Sequence, residues 1–88
     1  MQPESTIDAE TLALRALAAA LGDQRLADRF LSISGITAPE LRQSAAEPRL
    51  LTAFLSFLEA HEPDLLAIAN RIEVKPAELV DARRTLEA

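Results

Sequence analysis

The residues able to do chemistry are few and poorly placed for it. His61 is the only imidazole in the 88-residue chain, and there is no cysteine. His61-Glu62 begins like the H-E-x-x-H signature of zinc proteases, but Leu65 occupies the place of the second histidine. A transition metal there would have only the carboxylates of Glu59, Glu62 and Asp64. A histidine at a helix end, meeting the dipole, is the simpler reading. Ser5, Ser32, Ser34, Ser44 and Ser56 lie outside any G-x-S-x-G elbow, and a single histidine leaves little choice of general base. Two glycines cannot build a phosphate-cradling loop. Glu59 and Glu62, three apart, read as solvated carboxylates on a helix surface. The expectation is a non-enzyme with no catalytic residue, no metal and no cofactor.

The elements around these residues read as helices. The densest apolar run is Pro48 to Ala60, with Leu50, Leu51, Phe54, Leu55, Phe57 and Leu58. On a helix, these residues with Ala53 and Ala60 cover an arc of about 220°, far wider than an ordinary surface stripe. Thr52, Ser56 and Glu59 mark its polar strip. Such a helix is enclosed by others or offers apolar surface to a partner.

Helix one is expected from Thr6 to Leu21, after a frayed tail over residues 1–5, with Ser5 or Thr6 as cap and Asp8 and Glu10 favoured by the dipole. Ile7, Leu14, Leu17 and Leu21 form one apolar face; Ala9, Ala13, Ala16 and Ala20 form a second, small-residue seam. Gly22 should stop this helix by adopting positive φ. Asp23 caps a second helix from Gln24 to Ser34, with Leu26, Phe30 and Ile33 on one face and Arg25, Asp28, Arg29 and Ser32 facing water. Gly35 is its C′ residue. Thr37 and Glu40 make a capping box for a short third helix to Ala45 that inserts Leu41. Pro48 opens the fourth helix, Pro63 a fifth to Ile72, and Pro76 a sixth to Glu87. No segment alternates as a strand does. The fold class is therefore all-α: one domain over residues 1–88, a compact six-helix bundle with Leu26, Phe30, Leu50, Phe54, Phe57 and Leu58 in its core.

The chain also resembles itself. Ile33 to Leu41 reads I-S-G-I-T-A-P-E-L and Ile72 to Leu79 reads I-E-V-K-P-A-E-L. Each follows a long apolar helix and a shorter one, at an offset of about 38–39 residues. This suggests two three-helix units, residues 6–46 and 47–87, related by duplication. Helices two and three, and five and six, also have helix-turn-helix spacing. In the second copy Lys75, Ala77, Val80, Asp81 and Arg83 or Arg84 would be the recognition positions. Glu78 and Asp81 on that surface, and a net charge of −5, oppose phosphate contacts.

The segments L-A-L-R-A-L at Leu12 to Leu17, F-L-S-I-S-G-I-T-A-P-E-L-R at Phe30 to Arg42 and L-L-A-I-A-N at Leu65 to Asn70 resemble the small alphaproteobacterial proteins of the domain-of-unknown-function 3572 family. The resemblance spans nearly the whole chain. The second unit departs from the family pattern, with Glu73 in place of a turn glycine and Lys75 in place of an acidic cap. The resemblance implies no activity, cofactor or site residue.

The acidic balance also disfavours anionic membranes, and the apolar runs fall short of the roughly 20 residues that span a bilayer. The amino terminus carries Glu4, Asp8 and Glu10 where a secretory signal would be basic, which points to the cytoplasm. Abundant alanine and arginine over lysine fit a GC-rich bacterial genome. The leading functional expectation is a protein–protein interaction module or homo-oligomer. Its surface is expected on helix one, centred on Leu12 and Ala16 and including Ala9, Ala13 and Ala20, with a basic-rimmed partner. The alternative is a bundle binding a small molecule or acyl chain, which needs a pocket of roughly 300 Å³ or more. Alanine-rich helices should pack too closely to leave one. DNA binding is the weaker alternative.

Overall fold

Each helix begins where a residue can satisfy or omit its free N–H groups. In the computed structural model, which describes residues 3–88 and side chains from Asp8 onward, the elements are α1 (Pro3–Leu21), α2 (Gln24–Ser34), α3 (Ala38–Ser44), α4 (Pro48–Glu59), α5 (Glu62–Arg71) and α6 (Pro76–Glu87). Asp23 caps α2 by accepting from the N–H groups of Arg25 and Leu26, at 3.1 and 3.3 Å. Thr37 and Glu40 close the expected box at α3. At α6 half a box forms: Glu78 accepts from the Lys75 N–H at 2.7 Å, and lysine has no oxygen to reciprocate. Proline occupies the first turn of α3, α4, α5 and α6, where its missing N–H costs nothing.

Two local expectations need correction. Residues 3–5 form the first turn of α1 rather than a tail, Pro3 being already set to the helical φ, so Ser5 and Thr6 lie within the helix and not before it. Met1 and Gln2, the rest of the expected tail, lie outside the described residues. Gly22 does not take positive φ. The chain leaves α1 through ordinary turn bonds, Gly22 N–H to Ala19 O and Asp23 N–H to Ala20 O. Positive φ falls instead on Gly35 (76°) and on Glu73 (61°), the second being the position where a turn glycine was expected.

The core is one cluster centred on α4, whose Leu50, Leu51, Phe54, Leu55, Phe57 and Leu58 are all buried. Leu26 and Phe30 of α2 join them, so every expected core residue is internal. Phe30 stands edge-on to Phe54 and tilted to Phe57, with ring centroids 5.3 Å apart in both pairs. α1 packs on α6 and α4, and α4 also meets α2, α5 and α6. Thr52 and Glu59 are half-buried, while Ala53, Ser56 and Ala60 form the open side of α4. Among the described residues no strand forms, and no helix is long and apolar enough to cross a membrane. The radius of gyration, 11.9 Å, matches the roughly 12 Å of a compact chain this long.

One spacing recurs. The helix ends Leu21 and Glu59, the helix starts Gln24 and Glu62, and the starts Ala38 and Pro76 are each 38 positions apart. Buried residues repeat at the same distance: Ala13 and Leu51, Ala16 and Phe54, Leu17 and Leu55, Ala20 and Leu58, Phe30 and Ile68, Leu41 and Leu79. So do the two positive-φ residues, Gly35 and Glu73.

The turns make a graded prediction. A methyl group at Gly35 meets no atom within 4 Å, yet φ is left-handed there, so Gly35→Ala should cost about 1–2 kcal/mol from backbone strain alone. At Gly22 a methyl meets only Ala19 O at 3.4 Å, and Gly22→Ala should be neutral or slightly stabilising. Glu73→Gly relieves strain and should stabilise by up to about 1 kcal/mol. Urea midpoints of the three variants against wild type check the order.

Candidate interaction grooves

The expected surface on α1 divides in two. Ala9, Ala13, Ala16 and Ala20 are buried, Ala13 and Ala16 completely. The seam is therefore an internal contact, and its small side chains let α1 lie close against the helices it meets. The outward face of α1 is the other one, where Leu14 and Leu21 are exposed and Ala18 sits between them. Leu17, placed on that face by sequence, is buried.

Leu12 remains accessible. It is half-buried and lines a groove of about 270 Å³ between α1 and α6. Asp8, Ala9 and Leu12 form one wall, and Glu78, Asp81, Ala82 and Thr85 the other. The floor is apolar, the rim carries the carboxylates of Asp8, Glu78 and Asp81, and no cation lines it. Among the described residues no three His, Cys, Asp or Glu side chains come together as metal ligands would.

A second groove, of about 380 Å³, lies where α2, α3 and α4 meet. Ile36, Leu50 and Ala53 supply apolar surface; Ser34, Ser44, Glu40, Glu47 and Arg49 supply the rest. Among the described residues Ile33, at 69 % exposure, is the most exposed large hydrophobic, and it directly precedes the lining residue Ser34 in the chain. This volume exceeds the 300 Å³ that close helix packing was expected to deny. The space is not inside the core. It opens between helices, and exposed Glu40, Glu47, Arg49 and Ala53 line it.

Charged residues the sequence assigned to water instead tie helices together. Arg29 Nη1 donates to Asp64 Oδ2 at 2.6 Å, linking α2 to α5, and its guanidinium lies 5.4 Å from the Phe57 ring centre. His61 is exposed, and its Nδ1 lies 2.8 Å from the same Asp64 oxygen. His61 is the N-cap residue of α5, and its ring pairs with the Asp64 carboxylate one turn on without bonding the helix's free N–H groups. Arg83 of α6 is bound to Glu59 at the end of α4 and to Glu87. Those bonds hold its pKa above the ordinary guanidinium value, the Glu59 hydrogen bond contributing most. Arg15 and Arg71 donate to the carbonyls of Ile72 and Ala19, at 2.8 and 3.0 Å, and fasten α1 to the end of α5. Of the helix-turn-helix recognition positions, Arg83 is thereby committed and Val80 is half-buried.

Asp64 makes a pH prediction. Burial pushes its carboxyl up, but the hydrogen bonds from Arg29 and His61 outweigh this and hold its pKa below the usual aspartate value. A depressed folded pKa gives stability that is present above the unfolded value, about 3.9, and lost as pH falls through the folded one. Asp64→Asn should therefore cost up to about 1 kcal/mol at neutral pH and flatten the acid limb of the stability curve. Urea midpoints at neutral and acid pH for the variant and wild type measure both effects.

No curated protein and no solved structure matches this chain. Residues 6–88, which include every residue lining the two grooves, match the family described as Protein of unknown function (DUF3572), and the chain belongs to that family.

Proposed function

We propose that this chain is a cytoplasmic protein–protein interaction module whose scaffold is a duplicated three-helix unit. The recurrent spacing of 38 supports the duplication, because it relates helix ends, turn geometry and buried positions at once. The observation that carries the interaction reading is the open α2–α3–α4 groove, whose apolar surface comes from Ile36, Leu50 and Ala53. Ile33 is 69 % exposed and directly precedes Ser34 of the groove wall in the chain, and Ile36 within the groove is only partly covered. A partner side chain seated against Ile36, Leu50 and Ala53 would remove that apolar surface from water.

The groove volume, about 380 Å³, also favours a second reading, in which a small molecule or acyl chain is bound. The rim argues for protein. Glu40 and Glu47 flank Arg49, so a fatty carboxylate would meet two negative groups for one positive. A polypeptide can offer both signs. Glu40 stays ionised, its pKa lowered by the Thr37 backbone and side-chain hydrogen bonds.

A photo-crosslinking residue at Ala53 distinguishes the readings, with exposed Asn70 as the control position. In native lysate, position 53 should give discrete protein adducts and position 70 none. Ile33→Lys should remove the adducts while changing stability by less than about 0.5 kcal/mol, since the side chain is on the surface. Absence of protein adducts at 53, or release of an acyl compound from the native protein on denaturation, contradicts the proposal.

A further inference from the structure

We propose that the α1–α6 groove docks a basic amphipathic helix of a partner protein, its apolar face on Leu12 and its Lys or Arg side chains on Asp8, Glu78 and Asp81. The inference rests on the interaction-module reading and adds the partner's chemistry. Shape is the first argument. The α6 wall presents Glu78, Asp81, Ala82 and Thr85, at i, i+3, i+4 and i+7, and the α1 wall presents Asp8 and Leu12 at i and i+4. At 1.5 Å per residue the groove runs about 10 Å, two turns, matching the i, i+4, i+7 face of a helical ligand. An extended peptide would find no backbone partners, because the N–H and C=O groups of both walls are spent inside their own helices.

Charge is the second argument. The rim is acidic throughout, and Glu78 spends one carboxylate oxygen on the Lys75 N–H and keeps the other for a ligand. The complementary face must be basic. Nucleic acid has the wrong sign. This chain cannot supply the face itself. Arg15, Arg29, Arg71 and Arg83 are committed to intramolecular hydrogen bonds. Of the remaining cations, Arg25, Arg42, Arg49, Lys75 and Arg84, no two stand three, four or seven apart on one helix. The net charge of −5 further opposes self-association.

The test uses two designed helical peptides with the same leucines, one flanked by lysines and one by glutamates, added to the isotope-labelled full chain. The lysine peptide should shift the amides of Leu12, Asp81 and Ala82, and high salt should weaken it on the order of tenfold. Asp81→Lys, at an exposed position, should weaken it similarly, while Asp28→Lys on α2, an equal change of charge, should not. The spectrum of each variant reports its folding directly. Equal binding of the glutamate peptide, equal binding by Asp81→Lys, or no shift with either peptide overturns the inference. Shifts at Ile36, Leu50 and Ala53 instead would overturn it and leave the interaction reading standing. Concentration-dependent dimerisation that moves the same amides without peptide would assign the groove to a second copy and overturn it as well. Failure of the interaction reading would show separately, in the crosslinking at Ala53.

Discussion

The close approach of α1 to its neighbours, permitted by Ala9, Ala13, Ala16 and Ala20, is the constraint on which the rest of this fold depends. A helix with bulky residues there would hold α4 and α6 at a greater distance. Instead the volume is supplied from the other side. At the positions 38 residues on, α4 carries Leu51, Phe54 and Leu58 where α1 carries Ala13, Ala16 and Ala20, and all six are buried. Small residues in one long helix and large ones in the other fill the interior at the density protein cores require. α4 can bury six large side chains because the helices around it come close enough to cover them.

Polar chemistry is kept to the edges of this arrangement. No polar or charged residue is buried among those described, and no buried side-chain nitrogen or oxygen lacks a partner. The ion pairs and carbonyl contacts join elements distant in sequence: Arg29 to Asp64, Arg83 to Glu59, Arg15 to the Ile72 carbonyl, Arg71 to the Ala19 carbonyl. Partly exposed pairs of this kind contribute modestly to stability, and their effect is to fix how the helices lie. The grooves follow from the same geometry. Where α3 stops at Ser44 and the chain turns into α4, the short helix leaves Ala53 exposed and the groove open above buried Leu50.

Much of this was legible in the sequence. The limits of α2 and α6 follow from Asp23, Gly35 and Pro76, because caps and breakers act locally and their chemistry is written in single residues. The core of α4 follows from its apolar density. The alanine seam was legible as a face but misread as a surface: periodicity shows which residues share a side of a helix and says nothing of what lies opposite. Gly22 was misread because glycine permits positive φ without requiring it. Arg83 with Glu87 is an i, i+4 pair visible in sequence, and His61 with Asp64 an i, i+3 pair. Arg29 with Asp64 and Arg83 with Glu59 are created by the tertiary fold, as are both grooves, and no local pattern announces them.

The internal position of the seam is tested most directly by urea denaturation of Ala16→Arg beside Ala18→Arg. Position 16 is completely buried and position 18 is exposed on the same helix. Burying an unpaired guanidinium costs several kcal/mol, against a total stability of about 5–15 kcal/mol for an ordinary domain. The account predicts that Ala16→Arg loses the cooperative transition, or shows it at a much lower midpoint, while Ala18→Arg unfolds as wild type does. A cooperative transition for Ala16→Arg at the wild-type midpoint would contradict it.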